Sequence, residues 1–281
     1  MARQQQRHNE LQLEGERVRP NVPYAFSLGR SALGHRSRSQ NHEDLALLEM
    51  FFTGRRGGTF VEMGALDGLE YSNTFAFEQA LDWNGVLIEA NPAACAQLFV
   101  NRPKARCICG GVADKPATLT FETGGYRTRQ GADPTFAQVD AIPNGTYRDH
   151  YHPPAHLRKK RYPLQRFAVP SVPLGQWLRS VGISSVDLFS LDVEGSEANV
   201  LATMDWTIPV RVWCIEWDPH LGTPAVNRSI AAIMVTHGYS RVPWRWEDSQ
   251  LPKPLSQNQL WVRPGAWEPQ KYAWQQWVPP P

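Results

Sequence analysis

Apolar residues between positions 45 and 262 fall into short continuous runs that alternate with longer stripes of helical period. Short apolar runs bounded by turn residues are typical of buried strands, whereas stripes that repeat every three to four residues predict helices. Strands are predicted at 59–63, 85–89, 105–109, 186–191, 210–217, 239–242 and 259–262. Helices are predicted at 45–52, 72–81, from 92 onward, and at 174–181, 196–203 and 230–237. This alternation predicts an α/β fold with a doubly wound, mostly parallel, seven-stranded Rossmann-like sheet.

Three segments depart from this rhythm. Residues 1–40 are rich in Arg, Gln, Ser and Asn and are predicted to form a polar N-terminal extension. A single domain is predicted over 41–265, with an insertion at about 123–170 that is rich in Gly, Pro, Tyr and His. Such a long stretch without its own elements is usually functional, so we expect it to lie over the mouth of the site. Residues 266–281 are predicted to be a Trp/Pro-rich C-terminal tail.

Charge and hydropathy exclude several classes of protein. The 281 residues include 29 basic and 27 acidic side chains, for a formal net charge of +2. No nucleic-acid partner is expected, because nucleic-acid-binding proteins show a clustered basic face. No apolar run is long enough for a transmembrane helix, and the polar N-terminus lacks the apolar region of a signal peptide. We therefore expect a soluble protein with no membrane span in this chain.

The four cysteines are predicted to be reduced core residues. Cys107 and Cys109 are separated by one residue in an apolar run, so their side chains point to opposite faces of a strand and are poorly placed to share a disulfide or a metal. Cys214 also lies in an apolar run, and Cys95 is assigned in the same way. Reduced cysteines weakly favour an intracellular, reducing compartment.

The first predicted strand leads into Glu-Met-Gly-Ala-Leu-Asp-Gly at 62–68. Doubly wound folds bind ligands at this carboxyl edge of the sheet, and Gly64 and Gly68 would let backbone approach a ligand without an intervening Cβ. Glu62 and Asp67 disfavour a pyrophosphate but suit a sulfonium cation and an amino group. The glycines also lack the G-x-G-x-x-G order used for dinucleotides. The loop therefore favours S-adenosylmethionine over a dinucleotide.

The next two strands end in further candidate cofactor residues. Glu89 stands at the tip of the second strand, where a carboxylate accepts hydrogen bonds from both ribose hydroxyls in related folds. The alternative for Glu89 is a helix-capping or solvent-facing carboxylate. Asp114 and the backbone at 110–114 follow the third strand, where an adenine would reach, although an ordinary turn is nearly as well supported.

The fourth strand of this series carries the densest acidic motif. Leu-Asp-Val-Glu-Gly-Ser-Glu at 191–197 places Asp192, Glu194 and Glu197 within six residues, and Gly195 allows a sharp turn. Three carboxylates at a ligand-binding edge suit cation binding, base catalysis or metal binding. Glu197 equally suits the N-terminus of the following helix.

These motifs resemble those of the FkbM-type methyltransferases, which are class I S-adenosylmethionine-dependent enzymes. The similar stretches lie at 39–44, 62–68, 72–74, 85–92, 101–102 and 191–197, with the run Asp-Val-Glu-Gly-Ser-Glu as the most specific. Leu66 stands where many class I methyltransferases carry glycine. The resemblance implies an antiparallel final strand, S-adenosylmethionine as donor, and O-methylation, often of a sugar or polyketide hydroxyl.

From the motifs and the resemblance, Asp192 is the candidate base or acceptor-orienting group, with Glu194 second. The predicted cofactor-binding residues are Glu62, Gly64, Ala65, Asp67, Gly68, Asn73, Glu89, Ala90, Asn91, Ala113, Asp114 and Asp192. Glu216 and Asp218 are expected to line the acceptor pocket. A resident metal is not predicted, although Asp192, Glu194, Glu216 and Asp218 carry oxygen ligands of the kind that Mg²⁺ prefers.

Two functions remain open from the sequence. The first is an active O-methyltransferase acting on a hydroxyl of a sugar or of another small or glycan acceptor. The second is a catalytically silent methyltransferase-like domain that serves as a structural or binding subunit of a larger assembly. In the second case the N-terminal extension or the C-terminal tail would dock a protein partner, since exposed aromatics suit interfaces and the chain has 11 tryptophans.

Overall fold

The computed structural model describes residues 33, 36–40, 42–124, 127–130, 166–216, 224–242 and 258–263. The helices are α1 (Glu43–Leu47), α2 (Phe75–Leu81), α3 (Pro92–Asn101), α4 (Leu174–Ser180), α5 (Glu197–Ala202) and α6 (Pro224–Thr236), and α1 continues into a wider helical turn at Leu48–Phe52. The first four strands are β1 (Thr59–Met63), β2 (Asn84–Glu89), β3 (Arg106–Cys109) and β4 (Gly111–Val112). The others are β5 (Ala117–Gly124), β6 (Arg127–Gln130), β7 (Arg166–Val172), β8 (Val186–Leu191), β9 (Val210–Glu216), β10 (Ser240–Arg241) and β11 (Asn258–Val262).

The main sheet has seven strands in the order β10-β11-β9-β8-β1-β2-β3. Strands β3, β2, β1, β8 and β9 are parallel to one another, whereas β11 runs antiparallel between β9 and β10. The predicted doubly wound, mostly parallel sheet with an antiparallel last strand is thus confirmed. The chain moves outward from β1 to β3 on one side and from β8 to β9 on the other, so the strand order reverses between β1 and β8. Ligands of doubly wound folds bind at this reversal.

Both faces of the sheet are covered by apolar side chains, which explains why the strands appear as continuous apolar runs. Adjacent residues of β1 point to opposite faces: Phe60 packs in one buried cluster with Leu188 of β8, and Val61 packs in the other with Phe189. Aromatic contacts strengthen each layer, as where the Phe189 and Trp213 rings stack with centroids 4.3 Å apart. A sheet packed on both faces leaves its strand ends as the place for polar chemistry.

A second sheet, with the order β4-β7-β5-β6, was not predicted from the sequence. Strand β5 pairs antiparallel with both β6 and β7, and the two-residue β4 pairs parallel with β7. The ends of the predicted insertion at 123–170 therefore belong to strands, and residues 131–165 lie outside the described residues. The predicted insertion and the domain boundaries stay predictions.

The prediction that all four cysteines are reduced is wrong. Cys95 of α3 and Cys109 of β3 form a disulfide with their Cα atoms 5.6 Å apart, whereas Cys107 and Cys214 are free. Only the neighbouring pair Cys107 and Cys109 was compared in the sequence, whereas the crossover packs the first turn of α3 against the end of β3 and brings Cys95 to Cys109. The inference of a reducing compartment loses its premise. Among the described residues, no helix is long and apolar enough to cross a membrane.

Candidate cofactor and active site

The end of β1 and the end of β8 meet at the strand reversal. Asp192 donates its backbone N–H to the carbonyl of Met63 over 3.1 Å, and Gly64 donates its N–H to Ile88 of β2 over 3.0 Å. A Cβ on Gly64, whose φ is +81°, would lie 1.7 Å from the Asp192 carbonyl oxygen. Glycine is therefore required at position 64 by the close approach of Asp192, which is a more direct reason than contact with a ligand.

Glu62 is the centre of a buried hydrogen-bond network in the loop after β1. Its carboxylate accepts from the Ser72 hydroxyl at 2.7 Å, the Asn73 backbone N–H at 2.7 Å and the Thr74 hydroxyl at 2.6 Å. These bonds hold the segment that leads into α2. The structure thus gives Glu62, predicted as a cofactor ligand, a set of internal partners that shape the loop.

Arg102, at the end of α3, ties the same loop to the helix layer. The side chain is fully buried, and Nε donates to Glu78 at 2.9 Å while Nη1 lies 3.7 Å from the Glu62 carboxylate. Its remaining bonds go to the Gly68 carbonyl, the Ser72 hydroxyl and the Thr74 hydroxyl, each at 3.1 Å. The sequence pointed to Arg102 only through the family resemblance. In the sequence itself, the signal for a buried arginine was a charged residue at the end of a mostly apolar helix.

Arg102 also explains Gly68. A Cβ on Gly68 would lie 2.7 Å from Cγ of Arg102 and 2.9 Å from Leu98, so this glycine accommodates α3. The structure thus gives Gly68 a packing role, and its predicted contact with the cofactor stays a prediction. Asp67, next to it, is buried and accepts from the backbone N–H groups of Leu69 and Glu70 at 2.9 and 2.8 Å, which stabilises the turn.

Glu89 lies at the tip of β2 as predicted, and it is buried. One carboxylate oxygen accepts from the Leu66 N–H at 2.9 Å and the other from the Asn91 N–H at 2.7 Å. Burial raises the pKa of Glu89 to about 7, against these hydrogen bonds. The backbone N–H of Ala90 also donates to this carboxylate. A carboxylate has about four lone-pair sites, so the group can still accept from a ligand hydroxyl. Leu66 adopts a φ of +52°, a conformation in which glycine is more common.

The other predicted residues near β2 and β3 have local roles. Asn91 caps α3, because its side-chain oxygen accepts from the Ala93 N–H at 3.0 Å. The Ala113 N–H donates to Val172 over 3.2 Å, so it is occupied by the second sheet. Asp114 is exposed beyond β4. Ala65 is buried and Ala90 is half-buried in the loops after β1 and β2.

Asn73 spans the strand reversal. Its side-chain NH₂ donates to the Ser190 hydroxyl of β8 at 2.9 Å, while its side-chain oxygen is buried and has no hydrogen-bond partner among the described residues. A buried acceptor without a donor is costly, which favours a ligand donor at this position.

The acidic turn after β8 divides its carboxylates between structure and surface. Glu197 is buried and accepts from the backbone N–H groups of Val193 and Gly195 at 3.0 and 3.1 Å. Burial raises the pKa of Glu197 to about 7. Glu194 has a φ of +59°, a strained conformation for a residue other than glycine. Asp192, in contrast, is exposed.

Asp192 and Glu216 stand side by side, because Leu191 and Ile215 are register partners in β8 and β9. Their carboxyl groups share a hydrogen bond. Although Glu216 as a residue is partly exposed, its carboxyl group is surrounded by protein. Burial raises the pKa of Glu216 well above its ordinary value, and the charges of Asp192, Glu194 and Glu197 raise it further. Of the two carboxyl groups, Glu216 is thus the one whose protonated form the surroundings favour.

No cluster of three or more His, Cys, Asp or Glu side chains within the described residues is arranged to hold a metal ion. Asp218, predicted to line the acceptor pocket with Glu216, lies outside the described residues. The structure therefore brings Glu62, Gly64, Asn73, Glu89 and Asp192 to one edge of the sheet and leaves Asp114 exposed beyond β4.

The chemistry of this edge fits S-adenosylmethionine. The spare acceptor capacity of Glu89 suits ribose hydroxyls, and the unsatisfied Asn73 oxygen suits an ammonium donor. The exposed Asp192 carboxylate is compatible with a sulfonium cation nearby. These features extend from the end of β2 across β1 to β8, which spans the strand reversal.

Comparison with known proteins agrees with this chemistry. Residues 62–240 match the family model described as the methyltransferase FkbM domain. No curated protein sequence matches the chain. Similar solved structures include methyltransferase FkbM from Methylobacillus flagellatus, at 11% identity over 83% of this chain and 58% of that one with a TM-score of 0.41. The O-methyltransferase from Bacillus cereus in complex with SAH is 11% identical over 90% of this chain and 97% of that one, with a TM-score of 0.43.

The fibrillarin of Aeropyrum pernix, whose structure holds natively bound S-adenosylmethionine, is 11% identical over 80% of this chain and 74% of that one, with a TM-score of 0.40. The family assignment rests on the domain match, which covers more than half of the chain, and on the strand order and acidic edge described above. The chain therefore belongs to the FkbM methyltransferase family and is an S-adenosylmethionine-dependent methyltransferase.

Proposed function

We propose that the protein is an O-methyltransferase that acts on a hydroxyl of a sugar or of another small or glycan acceptor. The observation that carries the proposal is the exposed Asp192 carboxylate, which stands at the strand reversal with Gly64 on one side and Glu216 on the other. A carboxylate exposed at this position can accept the proton of an acceptor hydroxyl.

Asp192 has the properties of a general base. The side chain is exposed at the strand reversal, and Glu197 accepts from two backbone N–H groups of the turn that carries it. When bound, S-adenosylmethionine supplies the activated methyl group. A hydroxyl is a weak nucleophile at neutral pH, and Asp192 would orient it and accept its proton.

Glu216 keeps Asp192 available for this role. The hydrogen bond between the carboxyl groups of Glu216 and Asp192 restricts the orientation of the Asp192 side chain, and the raised pKa of Glu216 favours Glu216 as the donor. Glu216 thus acts as a positioning residue in the proposed reaction.

The charge of the turn bears on the acceptor. Asp192, Glu194 and Glu197 lie within six residues, and a negatively charged acceptor would be repelled there. A neutral, hydroxyl-rich molecule has donors that carboxylates accept. We therefore propose a neutral polyol face, of the kind a sugar presents, as the acceptor.

The test is transfer of labelled methyl groups from S-adenosylmethionine to a panel of neutral sugars, charged sugars and small alcohols, followed by mass spectrometry of the product. We expect a methyl ether on a neutral hydroxylated acceptor. A methyl group found on nitrogen or carbon would overturn the proposed chemistry. Tight cofactor binding without transfer to any acceptor in the panel or in a fractionated cell extract would instead favour the catalytically silent alternative.

A further inference from the structure

The acidic edge leaves one part of the cofactor unmatched. S-adenosylmethionine carries a sulfonium, an ammonium and a carboxylate, whereas Glu62, Asp67, Glu89 and Asp192 are all acidic. A carboxylate placed among acidic groups needs a cation or several donors. The described residues around the loop after β1 offer two arginine side chains, Arg102 and Arg38.

Arg102 is unavailable to a ligand. It is fully buried, and its guanidinium donors are engaged by Glu78, Gly68, Ser72 and Thr74.

Arg38 differs from Arg102 in its hydrogen bonding. Its side chain is half-buried, and its Nε is buried without a hydrogen-bond partner among the described residues. The guanidinium carbon lies 5.6 Å from the centre of the Phe75 ring, the same distance as the guanidinium carbon of Arg102. Burial lowers the pKa of Arg38, and the charge of Asp67 opposes that shift, so the side chain lies within electrostatic range of the loop.

The backbone around Arg38 is fixed against the cofactor loop. Its N–H donates to the Asp44 carboxylate at 3.1 Å, and Ser39 forms a parallel bridge with Tyr71. The Ser39 hydroxyl also donates to the Ser72 carbonyl at 3.4 Å. Arg38 is therefore held beside the segment that contains Asn73, whose side-chain oxygen also lacks a partner among the described residues.

We propose that Arg38 binds the α-carboxylate of S-adenosylmethionine and that the Asn73 side-chain oxygen accepts from the adjacent ammonium group. The two unsatisfied atoms are complementary to the two ends of an α-amino acid, because one is a donor and the other an acceptor. A guanidinium matches a carboxylate in geometry, which an amine does not. Arg38 lies outside residues 62–240, so the match to the family model does not include it. The inference rests on the methyltransferase function only for its cofactor and does not depend on the acceptor.

The test is a thermodynamic cycle in which both the protein and the ligand are varied. Calorimetry measures the affinity of each pair, and no acceptor is present. The ligands are S-adenosylhomocysteine and S-adenosyl-3-thiopropylamine, which lacks only the carboxylate. The variants are Arg38→Met, which keeps the length of the apolar stem, and the matched control Arg36→Met on an exposed residue two positions earlier. We expect Arg38→Met to weaken S-adenosylhomocysteine binding about 10- to 100-fold. The decarboxylated ligand should bind the wild type and Arg38→Met equally, and Arg36→Met should change neither affinity.

Arg38→Lys serves as a second variant that keeps the charge. We expect it to recover part of the lost affinity for S-adenosylhomocysteine and to leave the affinity for the decarboxylated ligand unchanged. Equal weakening of both ligands by Arg38→Met would overturn the proposal, because it would show that Arg38 only supports the loop through Phe75. Unchanged affinity for S-adenosylhomocysteine would overturn it as well. Failure of O-methylation alone would appear in the transfer assay and leave this cycle unaffected.

Discussion

The two acidic turns at the carboxyl edge of the sheet differ in how their carboxylates are used. After β1, Glu62 and Asp67 are buried and accept hydrogen bonds from their own loop. After β8, Glu197 does the same for its turn, but Asp192 is exposed and shares a hydrogen bond with Glu216. A carboxylate saturated by the chain shapes the site, whereas one left exposed beside a protonated partner is suited to chemistry.

The largest effect is expected from a substitution that disrupts the loop after β1. Arg102→Met should lower the free energy of unfolding by about 3–5 kcal/mol, because it leaves the buried carboxylates of Glu78 and Glu62 without their cation. Urea denaturation measures this change. The matched control is Arg179→Met, which removes an ion pair to Asp205 at the surface and should leave the urea midpoint unchanged. Equal behaviour of the two variants would contradict the structural role of Arg102.

The disulfide strengthens the same half of the sheet. Cys95 and Cys109 are 14 residues apart, and closing a loop of this size is worth about 3 kcal/mol in the chain-entropy model. The double variant Cys95→Ser/Cys109→Ser should therefore lower the free energy of unfolding by about that amount. Cys107→Ser, at a free cysteine on the same strand, provides the control. Reduction of the wild type should reproduce the double variant, and no difference between oxidised and reduced protein would refute this prediction.

The framework was predicted more completely than the polar contacts within it. Strand β8 was predicted with its observed ends, because a strand buried on both faces forms a continuous apolar run that can be recognised from the local sequence alone. The second sheet was missed, since most of the side chains at 114–120 are exposed and β4 has only two residues. The partners of Glu62 were also missed, because Arg102 lies 40 positions away and reaches the loop only after α3 packs.

The site shows the same limit. Gly64, Glu89 and Asp192 were identified because each ends a parallel strand, and the fold brings such ends together. The packing of Gly68 against Arg102 and the capping of α3 by Asn91 were not predicted, and the cofactor contacts of both residues stay predictions. Arg38 was not named at all, since only a folded chain shows that its Nε lacks a partner near the loop.

Glu89 should contribute to cofactor affinity. We expect Glu89→Ala to weaken S-adenosylhomocysteine binding by about 1.5–3 kcal/mol, because hydrogen bonds to a charged acceptor are lost. Calorimetry measures the affinity, and circular dichroism checks that the variant is folded. A folded variant with wild-type affinity would remove Glu89 from the cofactor site.

The raised pKa of Glu89 predicts opposite pH trends for binding and stability. Ribose hydroxyls favour the charged carboxylate, so affinity should rise as pH increases toward about 7 and level off above it, with proton release on binding below that pH. Because the folded-state pKa is above the unfolded value, the stability contributed by Glu89 is fully present below the unfolded pKa of about 4.3 and is lost as pH rises through about 7. Glu89→Gln should abolish the pH dependence of binding. A pH-independent affinity in the wild type would be inconsistent with a ribose contact.

The most direct test of the difference between the two turns is the single-turnover rate of methyl transfer in Asp192→Asn, measured at saturating cofactor alongside S-adenosylhomocysteine affinity and thermal stability. General-base catalysis is typically worth about 100- to 10,000-fold, and we expect a loss of rate in that range. Affinity and melting temperature should stay close to those of the wild type, because Glu197 rather than Asp192 holds the turn. A variant that transfers methyl groups at nearly the wild-type rate but melts at a lower temperature would show that Asp192 is structural, and the assignment of chemistry to the exposed carboxylate would be wrong.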